Sequence, residues 1–483
     1  MYSNRCDAEP LAASAGPGFH DDGCTQRRGA PPRRFGATSI LLAAGTFAAA
    51  LCMLLSRSAS GQELPRFDPA LYAALADVAS PATIAPGTKI TVQNWQQYKS
   101  FMPLGLQELY SRKFHWQVSA QPDFTVEVGP TYAIPMPKKY EEDTEKSAGQ
   151  AQLVPAATGG YNIVNYHAGL PFPKPDGALA GYKLMFDNYY QYQPAVLHDV
   201  YTENLADQYN NQTSLLSIEI QTNLGHVSDI GYPVVRPESE GVYLSIFNQV
   251  QLPEQSKYTT ELLVVRDDPN LPQEIYVFLP SLRRSLRLSS AARCSPLLGS
   301  DFVADDDRGF SGLTNQFSAT FLGHKRILNL MHMDRAKRHD LTSWANAPGM
   351  IGWPKPALGK WELRDTYIYN LQPLASNKGY CYGSKVMYLD AQTQTLLFVD
   401  IYDRDQRFWK CFTSFYSPIP INDGLGSVAA LQGDTTSTMF DFQNKHASFA
   451  WTSAEVAINH AVAAQYQNAS LYALPGGLDQ VMK

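Results

Sequence analysis

From about residue 195 onward, apolar and polar residues alternate in short runs. Candidate strands fall at 196–202, 214–221, 242–249, 260–266, 274–279, 316–322, 361–369, 384–390, 396–403, 407–415, 436–443 and 447–452. Gly, Pro, Asn and Asp separate them, the punctuation of an antiparallel sheet. No βαβ rhythm appears, which argues against a Rossmann or TIM-barrel plan. A period of two sends successive side chains to opposite faces. One apolar face then collects Phe317, Phe321, Leu363, Tyr367, Tyr369, Leu397, Val399, Phe440 and Phe442. Two runs, ELLVVR (261–266) and EIYVFL (274–279), are apolar on both faces. They call for a second layer, and residues 62–160 are the expected cover.

Helical spacing occurs earlier in the chain. Asn94 can cap a stripe of Trp95, Tyr98, Met102, Leu106 and Leu109, which Pro103 and Gly105 break into a kinked helix or two short ones. The stretch PKKYEEDTEKSAG reads as a charged surface helix. Pro171, Pro173 and Pro175 preclude regular structure before a further helix at 178–192. Leu179, Tyr182, Met185, Phe186 and Tyr189 line one side of it, a stripe fit for a core or for gating the mouth of the sheet.

Residues 37–55 form an apolar run behind Arg27, Arg28, Arg33 and Arg34, with Ser58, Ala59, Ser60 and Gly61 after it. This is the layout of a secretory signal, and the run is also long enough to stay as an anchor. The expected division is an export segment at 1–61, an extension over the sheet at 62–160, and a sheet domain at 161–483. Of six Cys, Cys294, Cys381 and Cys411 lie beyond the export segment, which allows one disulfide without selecting its pair. The net charge of -6 is spread along the chain and offers no basic stripe, so no nucleic-acid partner is expected.

No GxSxG, HExxH or P-loop pattern is present, so no catalytic residue, cofactor or metal is assigned. Met331-His332-Met333 with His339 would suit a soft metal, against a strand end with one exposed His. Asp305, Asp306 and Asp307 beside Asp301 would suit calcium, against a solvated loop. Asp400, Asp403 and Asp405 with Arg404 and Arg407 read as a hairpin turn with surface pairs. Arg283, Arg284 and Arg287 form the one basic cluster, suited to an anionic headgroup or partner or to capping a strand end.

In order, the segments TVQNWQQYKSFMPLGLQELY, GLPFPKPDGALAGYKLMFDNYYQY, EIYVFLPSLRRSLRL, GSDFVADDD, KWELRDTYIY and SKVMYLDAQTQTLLFVDIYDRDQRFWK resemble the bacterial domain-of-unknown-function family 1329. Leu279-Pro280, Arg283-Arg284 and Gly299-Ser300-Asp301-Phe302 are similar to steps of the LolA/LolB superfamily of periplasmic lipoprotein carriers. The resemblance implies an α+β fold, mainly β, in which an antiparallel, incompletely closed barrel wraps over helices. It also implies an apolar cavity for acyl chains and a place near the outer membrane beside RND-type exporters.

The leading expectation is a non-enzymatic periplasmic carrier of a hydrophobic, lipid or acyl-containing ligand. Its expected ligand set is the nine strand residues above with Tyr182, Met185 and Tyr189. The alternative is a structural adaptor at the outer membrane, with no cavity. A weaker third reading, a lipid hydrolase, requires a Ser or Asp hydrogen-bonded to a His inside the cavity mouth.

Overall fold

The computed structural model describes residues 64–111, 124–209, 211–334, 356–421, 423–429, 435–452 and 456–480. The export segment lies outside the described residues, as does His339. Among the described residues no helix is long and apolar enough to cross a membrane.

Fourteen strands build one sheet. They are β1 (Val196–Asp207), β2 (Gln212–Asn223), β3 (Val242–Leu252), β4 (Thr260–Arg266), β5 (Glu274–Leu279), β6 (Arg284–Arg287) and β7 (Phe317–Asn329). The rest are β8 (Glu362–Pro373), β9 (Ser384–Asp390), β10 (Leu396–Tyr402), β11 (Phe408–Tyr416), β12 (Thr435–Asp441), β13 (His446–Thr452) and the short β14 (Ala457–Ile458). Their spatial order is β6-β5-β4-β3-β2-β1-β13-β12-β11-β10-β9-β8-β7, with β14 added on β1, and every pairing is antiparallel. The end strands β6 and β7 do not pair with each other, so the barrel stays open as expected. All twelve expected strands are present. The added β6 has no apolar alternation in Arg-Ser-Leu-Arg and owes its conformation to the hairpin with β5.

Strands from both ends of the sheet, β3 to β5 and β7 to β12, feed one inner apolar cluster, so the sheet curls on itself. Among the described residues five α-helices accompany it: α1 (Pro69–Ala73), α2 (Leu104–Ser111), α3 (Lys138–Ser147), α4 (Ala180–Tyr189) and α5 (Ala469–Tyr472). The expected kink before α2 is real, with a 3-10 turn at Trp95–Phe101 ending ahead of Pro103. Helix α4 belongs to the inner cluster, where Leu184, Met185 and Phe186 are fully buried. Gly181 permits this, because a Cβ there would lie 2.4 Å from the Ala319 carbonyl oxygen. The helix is therefore core against β7 and β8 rather than a gate.

Two further clusters coat the outside. Residues of the 64–136 section, including Tyr72, Leu106 and Leu109, cover β7 to β13. The cover over β4 and β5 differs from expectation. Leu262, Val264 and Phe278 pack against Val462, Ala469, Ala473 and Leu478, near the end of the chain. Ser245 Oγ fixes that segment by donating to the Ala473 carbonyl at 2.7 Å.

Candidate ligand pocket

Edge strands β6 and β7 are consecutive in sequence but lie at opposite ends of the sheet. The link between them, residues 288–316, must cross the open interior. Its apolar residues Val303, Ala304 and Phe310 join the inner cluster. Covalent and ionic ties pin it to the sheet. Cys294 forms a disulfide with Cys381 in the β8–β9 connection, and within the segment itself Arg293 pairs with Asp305 at 2.6 Å. Lys385 meets Asp306 at 2.7 Å, and Tyr382 donates its hydroxyl to the same carboxylate at 2.8 Å. Asp301 Oδ2 accepts from Ser448 Oγ at 2.7 Å and lies 2.6 Å from His446 Nδ1. That contact raises the His446 pKa, because the carboxylate favours the imidazolium. Asp305 and Asp306 are thus buried and ion-paired, which corrects both the calcium and the solvated-loop readings. Their sequence signal was ambiguous because the bases that pair with them lie elsewhere in the chain.

Beneath this crossing segment lies a pocket of about 170 Å³. Its roof is Leu297, Leu298, Phe302, Val303 and Ala304, and its floor is the inner face of β1 to β4 with parts of β12 and β13. The strand register lays Asp199, Glu219, Asn248 and Glu261 in one row across four strands. The next row sets Gln221 beside Ile246 and Leu263. Glu203 lies on β1 in the same lining. Among the described residues no Lys, Arg or His lines the pocket. Burial favours the neutral form of each acid. It raises Glu203 to about 8 and Glu219 and Glu261 to about 7. Asp301 and Glu261 push Glu203 further, whereas Gln221 Nε2, donating to Glu219 at 2.6 Å, offsets part of the rise there. Gln221 Oε1 is buried and meets no donor among the described residues. Nor do three or more His, Cys, Asp or Glu gather closely enough to hold a metal ion among them.

The twelve expected ligand residues are not brought together. Phe317, Tyr369, Val399, Met185 and Tyr189 sit in the inner cluster, with Tyr182 and Tyr367 packed against it. Leu397, Phe440 and Phe442 belong to the outer cluster under the 64–136 section, and Leu363 packs there too. Phe321 is 40% exposed. None of the twelve lines the pocket. A bulge explains part of the split. Tyr388 pairs with Phe398 but Leu389 pairs with Leu396, so Leu397 is an extra residue that reverses the alternation.

Asp400 is also displaced from its expected surface turn. It is buried under α2, accepting from Gly105 N at 2.8 Å, Leu104 N at 3.2 Å and Tyr388 Oη at 2.8 Å. Asp403, Asp405 and Arg407 do form the exposed pairs. His332 Nδ1 lies 2.5 Å from Glu362 rather than facing a sulfur set. An Asp–His contact of the kind the hydrolase reading requires exists at Asp301 and His446, but neither residue lines the pocket. Ser448 donates to the carboxylate, so the imidazole does not activate it. The pocket acids did leave a sequence signal: Glu261 is in phase with the buried Leu263 and Val265.

The fold is similar to several solved structures. One is a Vibrio parahaemolyticus domain named for outer-membrane lipoprotein sorting, at 15% identity, covering 61% of this chain and 99% of that one with a TM-score of 0.41. A DUF1329 family protein from Desulfovibrio piger matches at 13% identity over 62% and 99% of the two chains, with a TM-score of 0.43. A LolA superfamily protein from Nitrosomonas europaea matches at 12% identity over 56% and 90%, with a TM-score of 0.33. No curated protein matches. The family model described as "Protein of unknown function (DUF1329)" matches residues 89–473, and the chain belongs to that family.

Proposed function

We propose that the protein is a non-enzymatic carrier that shelters part of an amphiphile beneath the crossing segment. The pocket between that segment and β1 to β4 carries this reading. Ligand sites for drug-sized molecules run to about 300–1,000 Å³. A volume of about 170 Å³ suits a headgroup or a short length of chain rather than a whole lipid. Each CH₂ moved under the apolar roof contributes roughly 0.8 kcal/mol. A segment of about six would gain roughly 5 kcal/mol before association costs are subtracted. The adaptor alternative requires an interior without a cavity, so the pocket favours the carrier.

The Cys294–Cys381 disulfide supports an oxidising compartment, and the 37–55 run supports export, so we place the protein in the periplasm. An RND-type exporter or an outer-membrane protein is the proposed partner. The exposed Arg283 and Arg284 at the β5–β6 hairpin offer it a contact.

The test is native mass spectrometry and lipid extraction on the full chain purified from the periplasm, with a fluorescent acyl probe as competitor. Wild type should carry an amphiphile that the probe displaces. Leu297→Trp, which fills the roof, should lose both signals while its unfolding midpoint stays close to wild type. An empty protein that ignores the probe ends the carrier reading and leaves the adaptor.

A further inference from the structure

We infer that the polar end of the occupant is a protonated amine, seated against Glu203, Glu219, Glu261 and Gln221 under the crossing segment. The inference rests on the carrier reading and names its ligand class.

The lining is one-sided. Asp199, Glu203, Glu219 and Glu261 face the cavity from the sheet, and Asp306 and Asp307 from the roof, with no basic side chain among them. The two roof acids are already matched, Asp306 by Lys385 and Asp307 by Arg308. Glu203, Glu219 and Glu261 have no ion-pair partner among the described residues. The acids are spaced along strand register, Asp199, Glu219 and Glu261 in one row and Glu203 further along β1.

Gln221 supplies an independent observation. It is 4% exposed, its amide nitrogen is engaged by Glu219, and its Oε1 lacks a donor. A buried acceptor without a donor is costly, and a ligand N–H would satisfy it. An ammonium brings three donors and no acceptor, the complement of this lining. A carboxylate or phosphate headgroup brings only acceptors, which leave Gln221 Oε1 without a donor. The apolar roof, with Ile246 and Leu263, then receives the chain attached to the nitrogen.

Burial raises Glu203 to about 8 and Glu219 and Glu261 to about 7, so a share of these acids is protonated near neutral pH while the pocket lacks a cation. An arriving ammonium favours their ionised forms, so binding should release protons to solvent.

The experiment is calorimetric titration of the full chain at pH 7 with dodecylammonium chloride, sodium dodecanoate and dodecanol, each below its micelle concentration. Buffers of different ionisation enthalpy report the protons. Dodecylammonium should bind at least about tenfold more tightly than the other two, with net proton release. In Glu219→Gln/Glu261→Gln that preference should shrink toward equality while dodecanol binding is kept. Dodecanoate binding as tightly as the amine, or amine binding without proton release in wild type, overturns the amine and leaves a carrier of another ligand. Failure of all three probes on a protein that also carries no native lipid overturns the carrier itself.

Discussion

Along β8 to β11 both faces of the sheet are apolar and shut, whereas β13, β1 and β2 contribute no side chain to the inner cluster. The same sheet thus has a sealed stretch and a wet one. In the sealed stretch a buried acid is fully served. Asp400 is held by two backbone N–H groups at the start of α2 and by the Tyr388 hydroxyl, and its pKa rises only to about 6. In the wet stretch Glu203 rises to about 8, with like charges nearby and a hydrogen bond from Ser300 as its offset. Burial is the first cause at both sites; the number of donors separates them. Asp400 has its donors, and the pocket acids have fewer.

The largest test of this contrast is Phe398→Ala. Phe398 is fully buried in β10, with its ring 6.2 Å from Tyr388 and 6.4 Å from Phe415. Removing it from a packed core should cost about 3–5 kcal/mol by denaturant titration. Probe binding by the folded fraction should not change. A loss of binding equal to the loss of stability would show that the two stretches are not separable.

The next test concerns the link between them. Cys294→Ala/Cys381→Ala removes a tie across a sequence separation of 87 residues. It should lower stability by about 2–4 kcal/mol. Hydrogen exchange should quicken in 295–309, above the pocket, more than in β8 to β11. Uniform quickening would mean that the tie serves the whole fold and not the roof.

The strands were legible because each apolar run carries its own alternation, and an alternating face needs no distant information. Three features were not. The bulge at Leu397 is one residue in the run LLFVDIY, whose first four residues are all apolar and fit either phase. The burial of Asp305 and Asp306 depends on Arg293 and Lys385, the latter some 80 positions away. The pocket does not lie on the most apolar part of the inner face, where the alternation points. The cavity lies instead where Glu219 and Glu261 interrupt that face. An acid in phase with buried aliphatic neighbours was the signal.

Asp400→Asn probes the sealed stretch more gently. The amide keeps one acceptor oxygen and loses the charge that the α2 N-terminus favours. Replacing Oδ1 or Oδ2 by NH₂ also sets a donor against a donor. A loss of about 1–3 kcal/mol near neutral pH is expected in thermal unfolding. A variant as stable as wild type would mean that Asp400 is protonated there and that the helix end contributes little.

The pocket acids give the contrast its pH dependence. Glu203, Glu219 and Glu261 have folded pKa values above their ordinary 4.5. Between those values the native state holds more protons than the unfolded chain, so stability rises as pH falls from about 8 toward 5. His446, raised by Asp301, acts in the same direction. His198 and His324, lowered by burial, oppose this rise below about pH 6.5. At lower pH the opposing groups include Asp77, Glu127, Asp176 and Asp403, whose pKa values are lowered by hydrogen bonds and nearby bases. Their contribution is lost only as pH falls through their own lowered values. The unfolding midpoint should therefore climb from pH 8 to pH 5 and turn down at more acidic pH. Glu203→Gln removes the acid with the highest value, so it should be more stable than wild type at pH 8 by a few kcal/mol. The difference should shrink toward pH 5 and vanish only below about pH 4.5, where Glu203 is protonated in the unfolded chain as well. A constant difference across that range would mean that the gain comes from packing and not from charge, and that the wet stretch is wet without being electrostatically costly.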